Sequence, residues 1–360
     1  MASIDRRPNG KYRARWREFP GGPQKTRTFA RKVDAERWLV DVQHRLLSGT
    51  YVAPEHARTT LRDYVGEHVA RQPWRSSTAD VAVNALDHAV RVLGERPLGS
   101  IRKSDVQAFV SGLELAPSTV ATTFQHLNTL LEAAADDGVI ARNPARGVKL
   151  PARITGEIVP PTVEQVGLLV DAAPVWFRPA IALGAGLGLR QAEASGLTAD
   201  RVLWLERAVR VDRQWITRRG LAEFGPPKSA ASNRTIPASN FVLDFLAEHV
   251  GRRHTGHVLH RTGEPVNYND FGYYWRRTVL AAGLGQVVRD GGRKRYEGLR
   301  YHDLRHAFAS LLISAGCSVK AVQHALGHAS AATTLNLRAP VAGRRGPDPP
   351  RGRRAPDPAS

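Results

Sequence analysis

Cysteine is nearly absent from this sequence of 360 residues, which contains only Cys317. A single cysteine excludes an internal disulfide and any zinc site built from cysteine ligands. No cluster of carboxylates appears either, so the sequence predicts no metal site. This cysteine usage fits a reducing compartment, and we expect the protein to be cytoplasmic.

Long apolar runs and acidic residues are also scarce. No segment is long and apolar enough to predict a transmembrane helix, and no signal peptide is apparent. Lysine and arginine total 52 against 33 acidic residues, which gives a net charge of +19 and a pI near 10.9. This excess predicts a polyanionic partner, most simply nucleic acid, and a basic protein at a membrane surface is the competing interpretation.

Lysine itself is rare, because only eight of the 52 basic residues are lysine. An excess of arginine, together with abundant alanine, glycine and proline, is also expected from GC-rich coding DNA. The arginine share is therefore not an argument for phosphate recognition, whereas the net charge is.

The length predicts two to three domains, and the first is a small basic domain at residues 1–57. Within residues 11–17, apolar and basic side chains alternate, which predicts a half-buried strand with an arginine face. That face consists of Arg13, Arg15 and Arg17. A second strand and a helix follow, so the domain suits a strand-based DNA reader, with a solvated edge sheet as the alternative.

Residues 58–152 are predicted to be helical throughout. Four segments carry apolar residues at helical spacing, and Thr60 is a predicted cap for the first of them. Most helical bundles of this size bind no DNA, so this pattern alone predicts a helical domain and no function. The linker that follows begins at Asn143–Pro144.

Residues 153–338 hold the candidate catalytic residues. An apolar segment ends directly before Arg190, strand-like stretches follow, and residues 302–315 are predicted to form a helix. On this helix, Leu304, Phe308, Leu311, Leu312 and Ala315 lie on one stripe, and His302, Arg305 and His306 lie on the opposite side. Such a polar face suits an anion held against a rigid element, although a solvated face is the alternative.

These motifs, in this order, resemble those of the tyrosine recombinase, or phage integrase, family. Gly188-Leu189-Arg190 resembles the first conserved box, Lys228 matches the lysine between the boxes, and His302–His306 with Leu326-Gly327-His328 resembles the second box. The resemblance covers roughly residues 1–337 and is tight from about 184. It implies a multidomain, mainly α protein with small antiparallel β-sheets (α+β): an arm-type DNA-binding domain at 1–57, a helical core-binding domain at 58–152 and a catalytic domain at 153–338.

The resemblance also implies a role for each matched residue. Arg190 and Arg305 would clamp the scissile phosphate, which suits arginine because its planar fork binds phosphate oxygens and stays charged. Lys228 would protonate the leaving 5′-oxygen. The remaining roles are His302 in proton transfer, His328 on a non-bridging oxygen, Glu193 orienting Arg190, His306 as a supporting neighbour and Arg234 as a phosphate contact. The alternatives are purely structural roles: a buried Arg190–Glu193 ion pair, a solvated loop lysine and structural histidines.

The partner implied by the resemblance is double-stranded DNA at attachment sites, with two protomers per site and four in the synapse. No cofactor and no membrane are implied. The reaction class is the cutting and rejoining of DNA through a 3′-phosphotyrosyl bond.

The position of the nucleophile departs from the family pattern. The family places its tyrosine about ten residues after the histidine of the second box, where this chain has Thr333-Thr334-Leu335-Asn336-Leu337-Arg338. Arginine cannot form the covalent intermediate, so the sequence predicts a recombinase without cleavage. The alternative is a non-catalytic DNA-binding protein that occupies recombination sites.

The composition changes after Leu337. Residues 339–360 contain six prolines and no aromatic residue, which predicts a disordered basic tail. Two explanations remain: a variant that ends in a basic tail, or a shift of the reading frame near codon 337. The shift is favoured because the change falls inside a motif, and the coding DNA can test it.

Overall fold

The structure is a computed structural model, and it forms two compact units, Met1–Thr155 and Gly156–Ser360. The residues described are 2–49, 51–53, 56–152, 159–218, 221–251, 255–290 and 292–327.

The first unit begins with a three-stranded antiparallel sheet in the order β1-β2-β3, formed by Ser3–Arg6, Tyr12–Arg17 and Gln24–Phe29. Helix α1, Lys32–Leu47, packs on the sheet. Ala14 and Trp16 of β2 join Leu39 in a small apolar core because alternate strand residues point to the same face.

The rest of the first unit is helical. Its helices are α2 (Leu61–Arg71), α3 (Ser76–Leu93), α4 (Lys103–Ser111) and α5 (Pro117–Asp136). They share a core that includes Tyr64, Leu86, Phe109 and Leu127. The predicted cap is confirmed, since the Thr60 side chain accepts a hydrogen bond from the Asp63 backbone N–H at 3.2 Å.

The second unit is built around a buried helix, because the turns of α7 are apolar on every side and α6, α9 and α11 pack on it. Its core includes Phe177, Ile181, Leu304 and Phe308. The helices are α6 (Val163–Ala172), α7 (Arg178–Leu187), α8 (Gln191–Gly196), α9 (Asn240–Val250), α10 (Tyr268–Ala281), α11 (Tyr301–Ser314) and α12 (Val319–Leu326).

Among the described residues of the second unit, all strand pairs are antiparallel. One sheet has the order β4-β5-β8, formed by Val202–Leu203, Ala208–Val211 and Arg234–Pro237. Three hairpins complete the set: β6–β7 (Gln214–Arg218, Leu221–Gly225), β9–β10 (His260–Arg261, Glu264–Pro265) and β11–β12 (Gly285–Asp290, Arg293–Gly298). The predicted fold class is confirmed, although the β11–β12 hairpin was not predicted.

The domain boundaries at residues 57, 152 and 338 stay predictions. Among the helices of the described ranges, none has the length and apolar character needed to cross a membrane.

Candidate active site

Three arginines from separate segments converge on the last turn of α12. The carbonyl oxygen of Ala325 accepts a hydrogen bond from Arg234 Nε at 2.7 Å, and that of Gly327 accepts one from Arg190 Nη2 at 3.3 Å. Arg305 Nη2 donates to the carbonyl between them, that of Leu326. A helix C-terminus carries unpaired carbonyls and partial negative charge, so it attracts cations.

Arg305 is buried on the interior side of α11, with 2% of its surface exposed. Its Nη1 donates to the carbonyl oxygen of Gly188 at 2.6 Å, which ties α11 to the segment that carries Arg190. Burial, and then the neighbouring Arg190, lower the pKa of Arg305 to about 9, so the guanidinium stays charged at neutral pH.

This position corrects the predicted faces of the helix. Arg305 was expected on a polar face opposite an apolar stripe, yet it is buried, while Leu311 of that stripe is 48% exposed. The reason is tertiary: α7 and α12 both pack on α11, so the Arg305 side becomes interior.

Two glycines allow this close approach. Gly188 and Gly327 both have a φ of 62°, a left-handed conformation that favours glycine. A Cβ at Gly188 would lie 2.6 Å from Phe308 Cδ1, and a Cβ at Gly327 would lie 2.9 Å from the carbonyl oxygen of Ala231. Glycine in both motifs therefore has a structural reason in this chain.

Glu193 holds two of the arginines in place. Its Oε1 accepts from Arg190 Nη1 at 2.6 Å, and its Oε2 accepts from Arg234 Nη2 at 3.1 Å. Burial alone would raise the pKa of Glu193, but the charges of Arg234 and Arg190 outweigh burial and lower the pKa. The predicted Glu193–Arg190 contact is present.

Arg234 was predicted to contact a phosphate, but it lies in the interior. Its side chain has no exposed surface, and its donors are directed to Glu193, Ala325 and the carbonyl of Ser232. A guanidinium that is buried and paired in this way does not reach DNA, so Arg234 is an interior support for Glu193 and for the end of α12.

Arg190 is the arginine of this cluster that reaches solvent. Its side chain is 27% exposed, and its Nη1 also donates to the Ser232 hydroxyl at 3.3 Å. Ser232 is completely buried and was not identified from the sequence, because a serine in a Pro-Ser-Ala-rich loop carries no periodic signal.

His302 and His306 lie one turn apart on α11, with ring centroids 4.9 Å apart and ring planes nearly perpendicular. Partial burial of the ring, and then His306 and Arg305, lower the pKa of His302 to about 4, although the residue as a whole is exposed to solvent. Burial also lowers the pKa of His306. At neutral pH both rings are neutral, so each has one donor and one acceptor nitrogen.

Lys228 is exposed and lies after the β6–β7 hairpin. The sequence had placed it at a hairpin tip, but it follows the second strand of that hairpin instead. A short 3₁₀ turn, Ala230–Ser232, comes next and ends at the serine that Arg190 contacts. The segment of Lys228 is therefore linked to the arginine cluster through Ser232.

His328 and Arg338 lie outside the described residues. Gly327, whose carbonyl binds Arg190, is the residue before His328. Within the ranges that the structure covers, no group of three or more histidine, cysteine or acidic side chains could hold a metal ion.

Two tyrosines, one just before α11 and one at its first residue, are engaged in structural hydrogen bonds. The Tyr301 hydroxyl is buried and donates to the carbonyl oxygen of Ala180 at 2.9 Å, and burial raises its pKa. Tyr296 donates to the carbonyl oxygen of Leu299 at 2.9 Å, and burial raises its pKa to about 12. A raised pKa opposes formation of the phenolate, so neither residue is a poised nucleophile.

The arginine face of β2 is partly neutralised. Asp5 on β1 pairs with Arg13 Nη2 at 2.9 Å and with Arg15 Nε at 2.8 Å, and their hydrogen bonds help to lower its pKa against the effect of burial. Arg17 donates to the carbonyl of Gly22. Contact of these three arginines with DNA stays a prediction.

The sequence of this chain is similar to those of known proteins. Residues 162–339 match the sequence model of the phage integrase family. Over 343 residues, the chain is 23% identical to the prophage phiRv2 integrase of Mycobacterium tuberculosis (strain CDC 1551 / Oshkosh), covering 92% of this chain and 90% of that protein.

Solved structures are similar in fold. The Tn1549 transposon integrase in complex with transposon right end DNA has a TM-score of 0.68 at 22% identity, covering 79% of this chain and 96% of that one. A lambda integrase dimer bound to a COC′ core site has a TM-score of 0.58 at 19% identity, covering 99% of this chain and 97% of that one.

Proposed function

Because residues 162–339 belong to the phage integrase family of tyrosine recombinases, we propose that this chain is a site-specific DNA recombinase of a phage or mobile element. Arg190 and Arg305 are its proposed DNA-clamping residues, and the cleavage step is absent with arginine at position 338. The substrate is double-stranded DNA at attachment sites, bound by two protomers per site and four in the synapse.

The observation that carries this proposal is the meeting of Arg190 and Arg305 on adjacent carbonyls, those of Gly327 and Leu326. Residues more than a hundred positions apart form one cationic cluster, in which Arg190 is the member that reaches solvent. Fixed positive groups stabilise the extra negative charge of the phosphoryl transition state, and removal of one such donor typically lowers the rate by about 10²–10³.

Within this cluster, the exposed part of Arg190 binds a non-bridging oxygen of the phosphate, and the buried Arg305 supplies fixed charge behind Arg190. His302 is neutral and able to move a proton at the phosphate. Lys228 protonates the leaving 5′-oxygen from its exposed segment. His328 completes the set at a second oxygen.

A non-catalytic protein that occupies recombination sites is the second candidate, favoured by Arg338 at the nucleophile position. Both candidates share their DNA contacts. Neither candidate cuts a strand with arginine at position 338, because the guanidinium cannot take the place of a phenol as nucleophile, so a covalent adduct would contradict both.

The test uses the full chain and a nicked suicide duplex that carries a candidate attachment site. We expect salt-sensitive binding, a footprint on the site and no covalent protein–DNA adduct on a denaturing gel. A covalent adduct would contradict the predicted loss of cleavage. Binding that salt does not affect would contradict the assignment as a recombinase. Arg190→Gln is the matched control, and it should weaken binding to the same duplex.

A further inference from the structure

The β11–β12 hairpin is a basic projection that no role described so far uses. It runs from Gly285 to Gly298, with both strands in contact with α10, and ends three residues before α11 begins at Tyr301. Six paired residues on each strand give it a length of about 17 Å, at about 3.3 Å per residue. Its sequence includes Arg289, Arg293, Lys294 and Arg295.

The strand register places two cations directly opposite each other. Arg289 pairs with Lys294 across the hairpin, so both side chains lie on the same face. Both residues are exposed, and no carboxylate pairs with either among the side chains that the structure describes. Like charges opposite each other destabilise a hairpin, so this pair weakens the element that carries it.

Hydrogen bonds and close packing hold the base of the hairpin just before α11. The carbonyl oxygen of Leu299 accepts hydrogen bonds from Tyr296 Oη at 2.9 Å and from Trp275 Nε1 at 2.8 Å. Gly285 and Gly298 pack so closely that a Cβ on Gly298 would lie 2.8 Å from Gly285 Cα. The base of the hairpin is therefore anchored to α10 and to the short segment that leads into α11, whose first turn carries His302.

We propose that the β11–β12 hairpin is a second DNA-binding element, whose Arg289 and Lys294 contact phosphates of the duplex that flanks the clamped phosphate. This inference rests on the proposed function. Duplex DNA carries about one charge per 1.7 Å of its axis, so a duplex bound at the clamp offers many further phosphates to a basic hairpin that leads into α11. Bound phosphates relieve the repulsion between the two side chains, which explains an otherwise unfavourable pair.

The experiment measures DNA affinity against salt concentration for the full chain and for Arg289→Gln/Lys294→Gln. Each lost phosphate contact should reduce the slope of log affinity against log salt by about 1, or roughly 2 for the pair. The affinity loss should be on the order of 10- to 100-fold at 100 mM salt. The difference in affinity between the parent chain and the variant should disappear when the duplex is shortened stepwise to remove the flanking DNA.

Arg210→Gln/Arg277→Gln is the matched control, because it removes two charges from exposed arginines on β5 and α10. An equal loss in this control would overturn the proposal, since net charge alone would then explain the effect. A hairpin variant that binds DNA normally but changes the sedimentation of the free protein would also overturn it, in favour of a protein contact.

A stability measurement separates binding from folding. Removing a repulsive pair should leave the melting temperature unchanged or higher while DNA affinity falls. Arg289→Glu, which places opposite charges across the strands, should show this contrast more strongly. A lower melting temperature in both variants would show that the pair serves the fold, and failure of the parent chain to bind DNA would instead overturn the proposed function itself.

Discussion

Arg305 carries its charge inside the protein, where the carbonyls of Gly188 and Leu326 replace water. We expect Arg305→Met to lower the free energy of unfolding by about 2–4 kcal/mol, because it leaves two buried acceptors unpaired. Arg190→Met should cost less, since its side chain is partly exposed and Glu193 keeps Arg234.

Urea unfolding of both variants measures this difference. Equal stability of the two would contradict the assignment of Arg305 to the interior. Both variants should lose DNA affinity, so stability and binding report on separate properties of the same cluster.

His302 should make the free protein less stable in acid. Its pKa is about 4 in the folded chain and about 6.5 in the unfolded chain, so the unfolded state binds more protons between these values. Stability therefore falls as the pH drops from about 6.5 towards 4. His302→Gln should show a smaller fall over this window by thermal melting.

Part of the acid sensitivity should remain in His302→Gln, because burial also lowers the pKa of His68, His257 and His306. His44, an exposed residue on α1, gives the matched control variant His44→Gln. A pH profile of His302→Gln that overlays the parent would contradict the lowered pKa.

At the scale of elements, a buried ion pair joins the first turn of α8 to the start of β8. Glu193→Gln should destabilise the protein by roughly 3–5 kcal/mol, because the buried Arg234 loses its counter-charge. The double variant Glu193→Gln/Arg234→Gln should cost less than the sum of the two single variants. Additive costs in a double-mutant cycle would mean that the pair is not coupled.

The sequence predicted the elements of the site better than the burial of its side chains. Helix α11 was expected at 302–315 and lies at Tyr301–Ser314, because its apolar spacing is a local signal. The interior positions of Arg305 and Arg234 depend on packing between segments far apart in the chain, and no local pattern contains that information.

The same reason explains what was missed in the loops. Ser232 and the β11–β12 hairpin have no strong periodicity, and a run such as Arg293-Lys294-Arg295 gives no sign of a buried face. The glycines of the two motifs were noted as part of a pattern, whereas their left-handed backbone could be seen only in the folded chain.

For the whole molecule, the net charge of +19 should dominate the salt dependence of DNA binding. If six to ten phosphates are contacted, affinity should fall by about 10³–10⁵ between 50 and 200 mM salt. Filter binding or fluorescence anisotropy measures this slope. A slope near zero on any duplex would remove the basis for a phosphate-binding surface.

The arginine contacts at the end of α12 come from residues 188–327, all of which precede position 328. The proposed phosphate clamp is thus assembled entirely from residues that precede position 338. Under the proposed function, DNA binding does not depend on the residue at position 338, so we expect this chain to compete with a cleaving recombinase for one duplex.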